Sequence, residues 1–189
     1  MSDARGRLII ISAPSGAGKG TVIRELRRLR PEIRYSVSAT TRAPRPGEEH
    51  GVDYIFLAPE EFEAMEARGE FLESETYVGR RYGTPRLPIE RNTGDGADTI
   101  LEIEVKGARK VRAKKPDALS IFLAPPSEQE LRRRLRDRGT SSGEEFERRL
   151  DTAKKEMEAI GEYDHTVIND DPERAAREII GIIDRKSKK

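Results

Sequence analysis

Apolar residues in this chain fall into short blocks separated by longer amphipathic stretches. Arg7–Ser12 (RLIIIS) sets four aliphatic residues in a row and reads as a buried strand. The spacing then changes. From Lys19, the residues Val22, Ile23, Leu26 and Leu29 recur on one helical face, and Pro31 marks the stop. Asp98–Val105 (DTILEIEV) and Ala118–Ala124 (ALSIFLA) read as further core strands, and His165–Asn169 (HTVIN) as a last short one. Ser127, with Glu130 three residues on, forms a capping-box arrangement that opens a helix. A closing helix starts at Pro172, which suits a first helical turn, and places Ala176, Ile179, Ile180 and Ile183 on one stripe. This alternation predicts an α/β fold with a parallel sheet.

Two segments interrupt the rhythm. Ser36 to about Thr93 is rich in Pro, Gly, Arg and Glu, and Arg136–Arg149 (RDRGTSSGEEFERR) is polar and dense in arginine. Both read as mobile insertions on a rigid scaffold, not as independent domains. The expected organisation is one domain over 1–189, with a core of 7–35, 94–135 and 150–186 and insertions at 36–93 and 136–149. The closing KSKK is expected to fray.

Composition narrows the function classes. With 189 residues the chain has room for one domain with a real core. Lys plus Arg (36) nearly cancels Asp plus Glu (35), a net charge of +1 that argues against a generic nucleic-acid binder. Cysteine is absent, which removes disulfides, thiolate metal sites and a thiol nucleophile. No run reaches membrane-spanning length, and MSDARGR lacks the apolar region of a signal peptide. A cytoplasmic protein with neither membrane nor nucleic-acid partner is the expectation, with oligomeric state left open.

The chemistry concentrates after the first strand. Ser12–Thr21 (SAPSGAGKGT) departs from the phosphate-loop pattern G-x-x-x-x-G-K-[ST] in two places. Ala13 replaces the first glycine, and Gly20 separates Lys19 from the hydroxyl of Thr21. The strand–loop–helix context is intact. Gly16, Gly18 and Gly20 allow backbone N–H groups to face an anion at a helix N-terminus, and Lys19 can reach the β- and γ-phosphates. Ala13, Pro14, Ser15, Gly16, Ala17, Gly18, Lys19, Gly20 and Thr21 are therefore the candidate ATP loop. Displacing the hydroxyl weakens any direct metal ligation, so Mg²⁺ is expected to be held by phosphate oxygens and water.

GAGKGT resembles the loop of small nucleoside monophosphate kinases. SVSATTRAPRPGEEHGVDYIF, GEFLESETYVGRRYGTP, LEIEVKGAR, RLRDRGT and VINDD together resemble guanylate kinase, in the same order along almost the whole chain. The resemblance implies a P-loop kinase fold, a parallel core sheet flanked by helices, a GMP-binding insertion at 36–93 and a short lid at 136–149. The implied reaction is Mg²⁺-dependent transfer of phosphate from ATP to GMP, with those two nucleotides as the partners. Ser38 and Glu73 match the family's guanine readers, with Thr84 and Glu102 also near the base. A carboxylate suits guanine because N1–H and N2–H₂ are adjacent donors, and a hydroxyl can donate to O6. Arg42, Arg45, Tyr54 and Tyr82 match the clamp on the GMP phosphate. Arg134, Arg138 and Arg149 match the arginines that the lid brings over the transferring phosphates, and Asn169 a position near the adenine of ATP. Lys19, Arg42 and these three arginines make up the expected catalytic set.

The sequence also departs from the family pattern. Glu104 and Lys106 stand in LEIEVKG where LEIDVQG is common, and the longer Glu104 side chain alters an indirect, water-mediated contact to Mg²⁺. Two other readings remain open at this point: a non-catalytic interaction module of the same fold, and a kinase for another monophosphate.

Overall fold

The computed structural model describes residues 5–77, 79–137 and 143–186. The first part of the chain runs β1 (Leu8–Ser12), α1 (Lys19–Leu29), β2 (Arg34–Tyr35), β3 (Ala39–Thr40), β4 (Ile55–Phe56) and α2 (Pro59–Ala67). Then come β5 (Phe71–Tyr77), β6 (Arg80–Pro85), α3 (Arg86–Gly94), β7 (Thr99–Glu102) and α4 (Val105–Lys114). The last part comprises β8 (Leu119–Ala124), α5 (Glu128–Asp137), α6 (Gly143–Met157), β9 (His165–Ile168) and α7 (Pro172–Lys186). Five strands form a parallel sheet in the order β2-β7-β1-β8-β9. A second sheet has the order β4-β3-β6-β5, in which β6 runs antiparallel to both β3 and β5.

Every residue of β1 and of β8 is buried, as a strand covered on both faces requires. The chain divides into two compact units, Met1–Ile10 with Arg34–Ala118 and Ile11–Ile33 with Leu119–Lys189. The dividing point falls inside β1.

In the second unit, Val22, Ile23 and Leu26 form the buried face of α1. The stripe on α7 consists of Ala175, Ala176, Ile179, Ile182 and Ile183, while Ile180 is only half-buried. The real period therefore steps 175/176, 179, 182/183 and turns Ile180 to the flank. Ser127 caps α5 as expected, its Oγ accepting the Glu130 N–H at 3.1 Å. The outer face of α7 carries i,i+4 pairs such as Arg177–Glu173.

In the first unit the expected strand to Val105 ends at Glu102, and Val105 opens a helix. LEIEV alternates like a strand, but Val105, Ala108 and Val111 repeat at helical spacing and carry the burial of α4. Two lysines tether this helix to β5. Lys110 Nζ donates to the Ser74 carbonyl at 2.8 Å, and Lys114 Nζ donates to that of Leu72. The second sheet has its own small core, with the Phe62 and Phe71 rings stacked at 4.5 Å beside Ala39.

Candidate active site

The loop between β1 and α1 is defined by backbone conformation. Gly16 and Gly18 have φ of 89° and 86°, in the region that disfavours any side chain. Space makes the same demand. A Cβ at Gly18 would lie 2.7 Å from Asn169 Nδ2, and one at Gly16 would lie 2.7 Å from Leu135 Cδ2. Gly20 differs: a Cβ there would meet nothing within 4 Å, so neither space nor φ demands glycine at that position. Ala13 is buried, and its methyl fits where the pattern has glycine. Lys19 is the first residue of α1, at the end where the helix dipole favours anions. The Thr21 hydroxyl accepts from Arg24 Nη2 at 3.3 Å.

Three side chains grip this loop from outside. The Ala17 carbonyl accepts from Asn169 Nδ2 at 2.6 Å and from Arg134 Nη1 at 3.0 Å. Arg134 Nη2 donates to the Asn169 carbonyl at 2.9 Å, and its Nε donates to Glu130 at 2.7 Å. Glu156, on α6, accepts the Ser15 N–H at 2.9 Å. Hydrogen bonds from Arg133 and Arg134 pull the Glu130 carboxyl down to about 2, so it stays charged throughout the physiological range. Asn169 is almost wholly buried, and its Oδ1 has no hydrogen-bond partner among the described residues. Arg149 is half-buried on α6. Arg138 lies outside the described residues.

The first unit holds the expected base readers. Glu73 and Thr84 face one another in the β5–β6 register, and the Thr84 hydroxyl donates to Glu73 Oε1 at 2.6 Å. Glu73 is 7% exposed. Burial pushes its carboxyl above the ordinary glutamate value, and the Thr84 hydrogen bond pulls partly the other way. Oε2 lies against α4, so close that a Cβ at Gly107 would stand 2.8 Å from it. Ser38 is half-buried in the approach to β3, and Glu102 half-buried at the end of β7. Glu104 is exposed at the N-terminal boundary of α4.

The expected phosphate clamp is assembled nearby in the same unit. The Arg42 guanidinium sits 5.4 Å from the Tyr54 ring centre, and Tyr54 meets Tyr82 edge-on at 6.1 Å. Arg42 Nη2 donates to Glu48 Oε1 at 2.9 Å, while Glu48 Oε2 accepts the Arg45 N–H at 2.8 Å. That pairing raises the Arg42 pKa and lowers that of Glu48. Arg45 itself is exposed.

Sequence reasoning missed Glu48, Gly107 and Glu156. Only Glu48 carried a usable signal, an acidic residue closing the arginine-rich RAPRPGE. Gly107 and Glu156 touch residues far away in sequence, where no local spacing reveals them.

Comparison with known proteins assigns a family to this chain. The guanylate kinase family model matches residues 5–186. The chain is 55% identical over 181 residues to a guanylate kinase of Rubrobacter xylanophilus, covering 96% of this chain and 95% of that protein. It is 50% identical over 185 residues to one from Streptomyces kasugaensis, covering 98% and 90%. Among solved structures, guanylate kinase from Anaplasma phagocytophilum superposes with a TM-score of 0.82 at 35% identity, covering 98% of this chain and 88% of that one.

Proposed function

The chain belongs to the guanylate kinase family, and from that premise we propose how its residues divide the work of moving the terminal phosphate of ATP to GMP. Phosphoryl transfer goes through a loose, highly charged transition state, so positioning and charge stabilisation dominate and no strong general base is needed. Residues 13–21 cradle the ATP phosphates through inward N–H groups, and Lys19 neutralises charge on the β- and γ-oxygens. Arg42, Arg45, Tyr54 and Tyr82 hold the GMP phosphate. Glu73 reads N1–H and N2–H₂ of guanine, supported by Thr84, with Ser38 and Glu102 completing the base environment. Arg149 and Arg138 complete the charge stabilisation from the lid, residues 136–149 of a single 1–189 catalytic domain.

Mg²⁺ fits this donor set as an ion that arrives on the nucleotide. Among the described residues no group of three or more His, Asp or Glu could hold it. Mg²⁺ retains water readily and binds phosphate oxygens well. Thr21 and Glu104 would reach it only indirectly. When bound, the ion offsets charge on the β- and γ-phosphates. No described helix is long and apolar enough to cross a membrane; the location proposed for the reaction is the cytoplasm.

The buried Glu73–Thr84 pair is the observation that carries the guanine assignment, because a buried carboxylate needs donors and guanine supplies two side by side. The test is GMP-dependent ADP formation by the pure protein, compared with AMP and IMP as acceptors. GMP should exceed AMP by at least ~10²-fold in kcat/KM, a discounted form of the rejection shown by buried polar sites. IMP should fall between them, since it keeps N1–H and lacks the 2-amino group. Equal use of AMP would remove the guanine assignment.

A further inference from the structure

We propose that Arg134 and Asn169 act on the phosphates of ATP indirectly, by aiming the Gly18 amide. The inference rests on the kinase reading above and gives these two residues a different job within it. Both donate to one acceptor, the Ala17 carbonyl, at 3.0 and 2.6 Å. No peptide bond among the described residues is cis, so the Ala17–Gly18 peptide is trans, and its C=O and N–H point in opposite directions. Holding the carbonyl outward on two donors therefore turns the Gly18 N–H to the other side of the loop. Gly18 is the boundary residue of α1, and an N–H there belongs to the positive end of that helix.

The surroundings leave this peptide little freedom to turn over. Reversing it would put the Gly18 N–H against two donors and leave the Asn169 amide without its acceptor in a nearly solvent-free place. Glycine is needed at 18 by φ and by the 2.7 Å approach of Asn169. A residue free to rotate both ways is thus locked into one orientation by its neighbours. Arg134 is itself fixed through Nε on Glu130 and Nη2 on the Asn169 carbonyl. Each of its three nitrogens donates to the protein, which is the arrangement of a strut. The two residues are positioning residues that act through backbone.

The experiment uses the full-length enzyme with ADP alone as probe, and reads ADP affinity together with the NMR signal of the Gly18 amide. ADP should draw that amide proton downfield and give it a through-hydrogen-bond coupling to phosphorus. Arg134→Ala and Asn169→Ala should each weaken ADP about tenfold and reduce both signals. Because they share one acceptor, the double variant should lose little more than either single one, where independent contacts would multiply to about a hundredfold. Arg134→Lys keeps a donor for the carbonyl and should recover part of the signal, while Asn169→Asp sets acceptor against acceptor and should lose most. Dispersed spectra of Arg134→Lys guard against simple misfolding. An Arg134→Ala enzyme that binds ADP weakly while the Gly18 amide responds as in the parent would overturn the proposal, as would multiplicative losses. None of these readouts needs GMP, so absence of GMP-dependent turnover in the parent would count against the kinase reading alone.

Discussion

The two candidate regions are built by opposite means. In the loop after β1 the groups proposed to meet phosphate are backbone amides and the Lys19 ammonium, and Arg134, Asn169 and Glu156 hydrogen-bond the loop backbone. Around Glu73 the groups proposed to meet guanine are side chains, and a backbone feature, the missing Cβ of Gly107, makes room for one of them. Amides at a helix end recognise negative charge of any phosphate and cannot distinguish one base from another. A carboxylate beside a hydroxyl distinguishes donors from acceptors, so the proposed selectivity rests on the Glu73–Thr84 pair. Catalytic power should therefore fail through the first region, and choice of substrate through the second.

Lys19→Ala should break the first region most deeply. On the proposed reading its charge faces phosphate, so turnover should fall at least ~10²-fold, as on loss of one preorganised donor. The side chain is not core, so stability should stay within about 0.5 kcal/mol of the parent in denaturant titration. A loss seen only with GMP and not with other acceptors would blur the comparison.

Glu73→Gln should affect selectivity more than rate, narrowing the gap between GMP and IMP and reducing GMP use about tenfold or more. Its pH behaviour sharpens the point. A carboxyl whose folded pKa lies above its unfolded value holds its proton more tightly in the folded state. The folded protein thus loses stability as pH rises from the ordinary value of 4.5 through the raised one, and the loss persists above it. Glu73→Gln lacks this penalty. It should melt at or above the parent temperature at neutral pH, and the advantage should vanish below 4.5. In the parent, KM for GMP should rise as acid protonates Glu73.

Gly107→Ala is a smaller perturbation in the same region. Gly107 lies in the first turn of α4, where any gain in helix propensity from alanine, at most about 0.5–1 kcal/mol, is offset by crowding of the buried Glu73 carboxyl, so thermal stability should change little. The new methyl would crowd Glu73 Oε2 at 2.8 Å and displace it from guanine. KM for GMP should rise about tenfold, within the range that small misplacements cost, with ADP affinity unchanged. Unchanged GMP kinetics would mean that Glu73 tolerates displacement and that its placement is not what selects guanine.

Arg177→Ala is the smallest of the four. It removes an exposed i,i+4 pair with Glu173 on α7 and touches neither region. Stability should change by less than about 0.5 kcal/mol and both substrates should be used as before.

Much of this was legible in the sequence because strong periodicity marks buried elements. Ile9–Ile11 and Ile121–Ala124 could only be core strands, and α1 and α7 followed from their stripes. The strand at 98–105 was read too long because LEIEV alternates while the helical repeat begins only at Val105. The second sheet was hidden because β3 and β4 are two residues each, too short for any period to register. Motif spacing brought Glu73 and Thr84 to the same place, and Arg42, Tyr54 and Tyr82 likewise. It could not reveal what Arg134 touches, since an arginine near a phosphate loop looks alike whether it meets the ligand or a carbonyl.

The close approach of Gly107 to Glu73 also couples the two positions energetically. A Cβ at 107 would stand 2.8 Å from the carboxylate, so what a substitution at 107 costs depends on which side chain occupies 73. With a shorter residue at 73 the methyl of alanine at 107 would meet no carboxylate oxygen. Two positions far apart in the chain are thereby expected to be non-additive, the cost of changing both falling short of the sum of the two single costs.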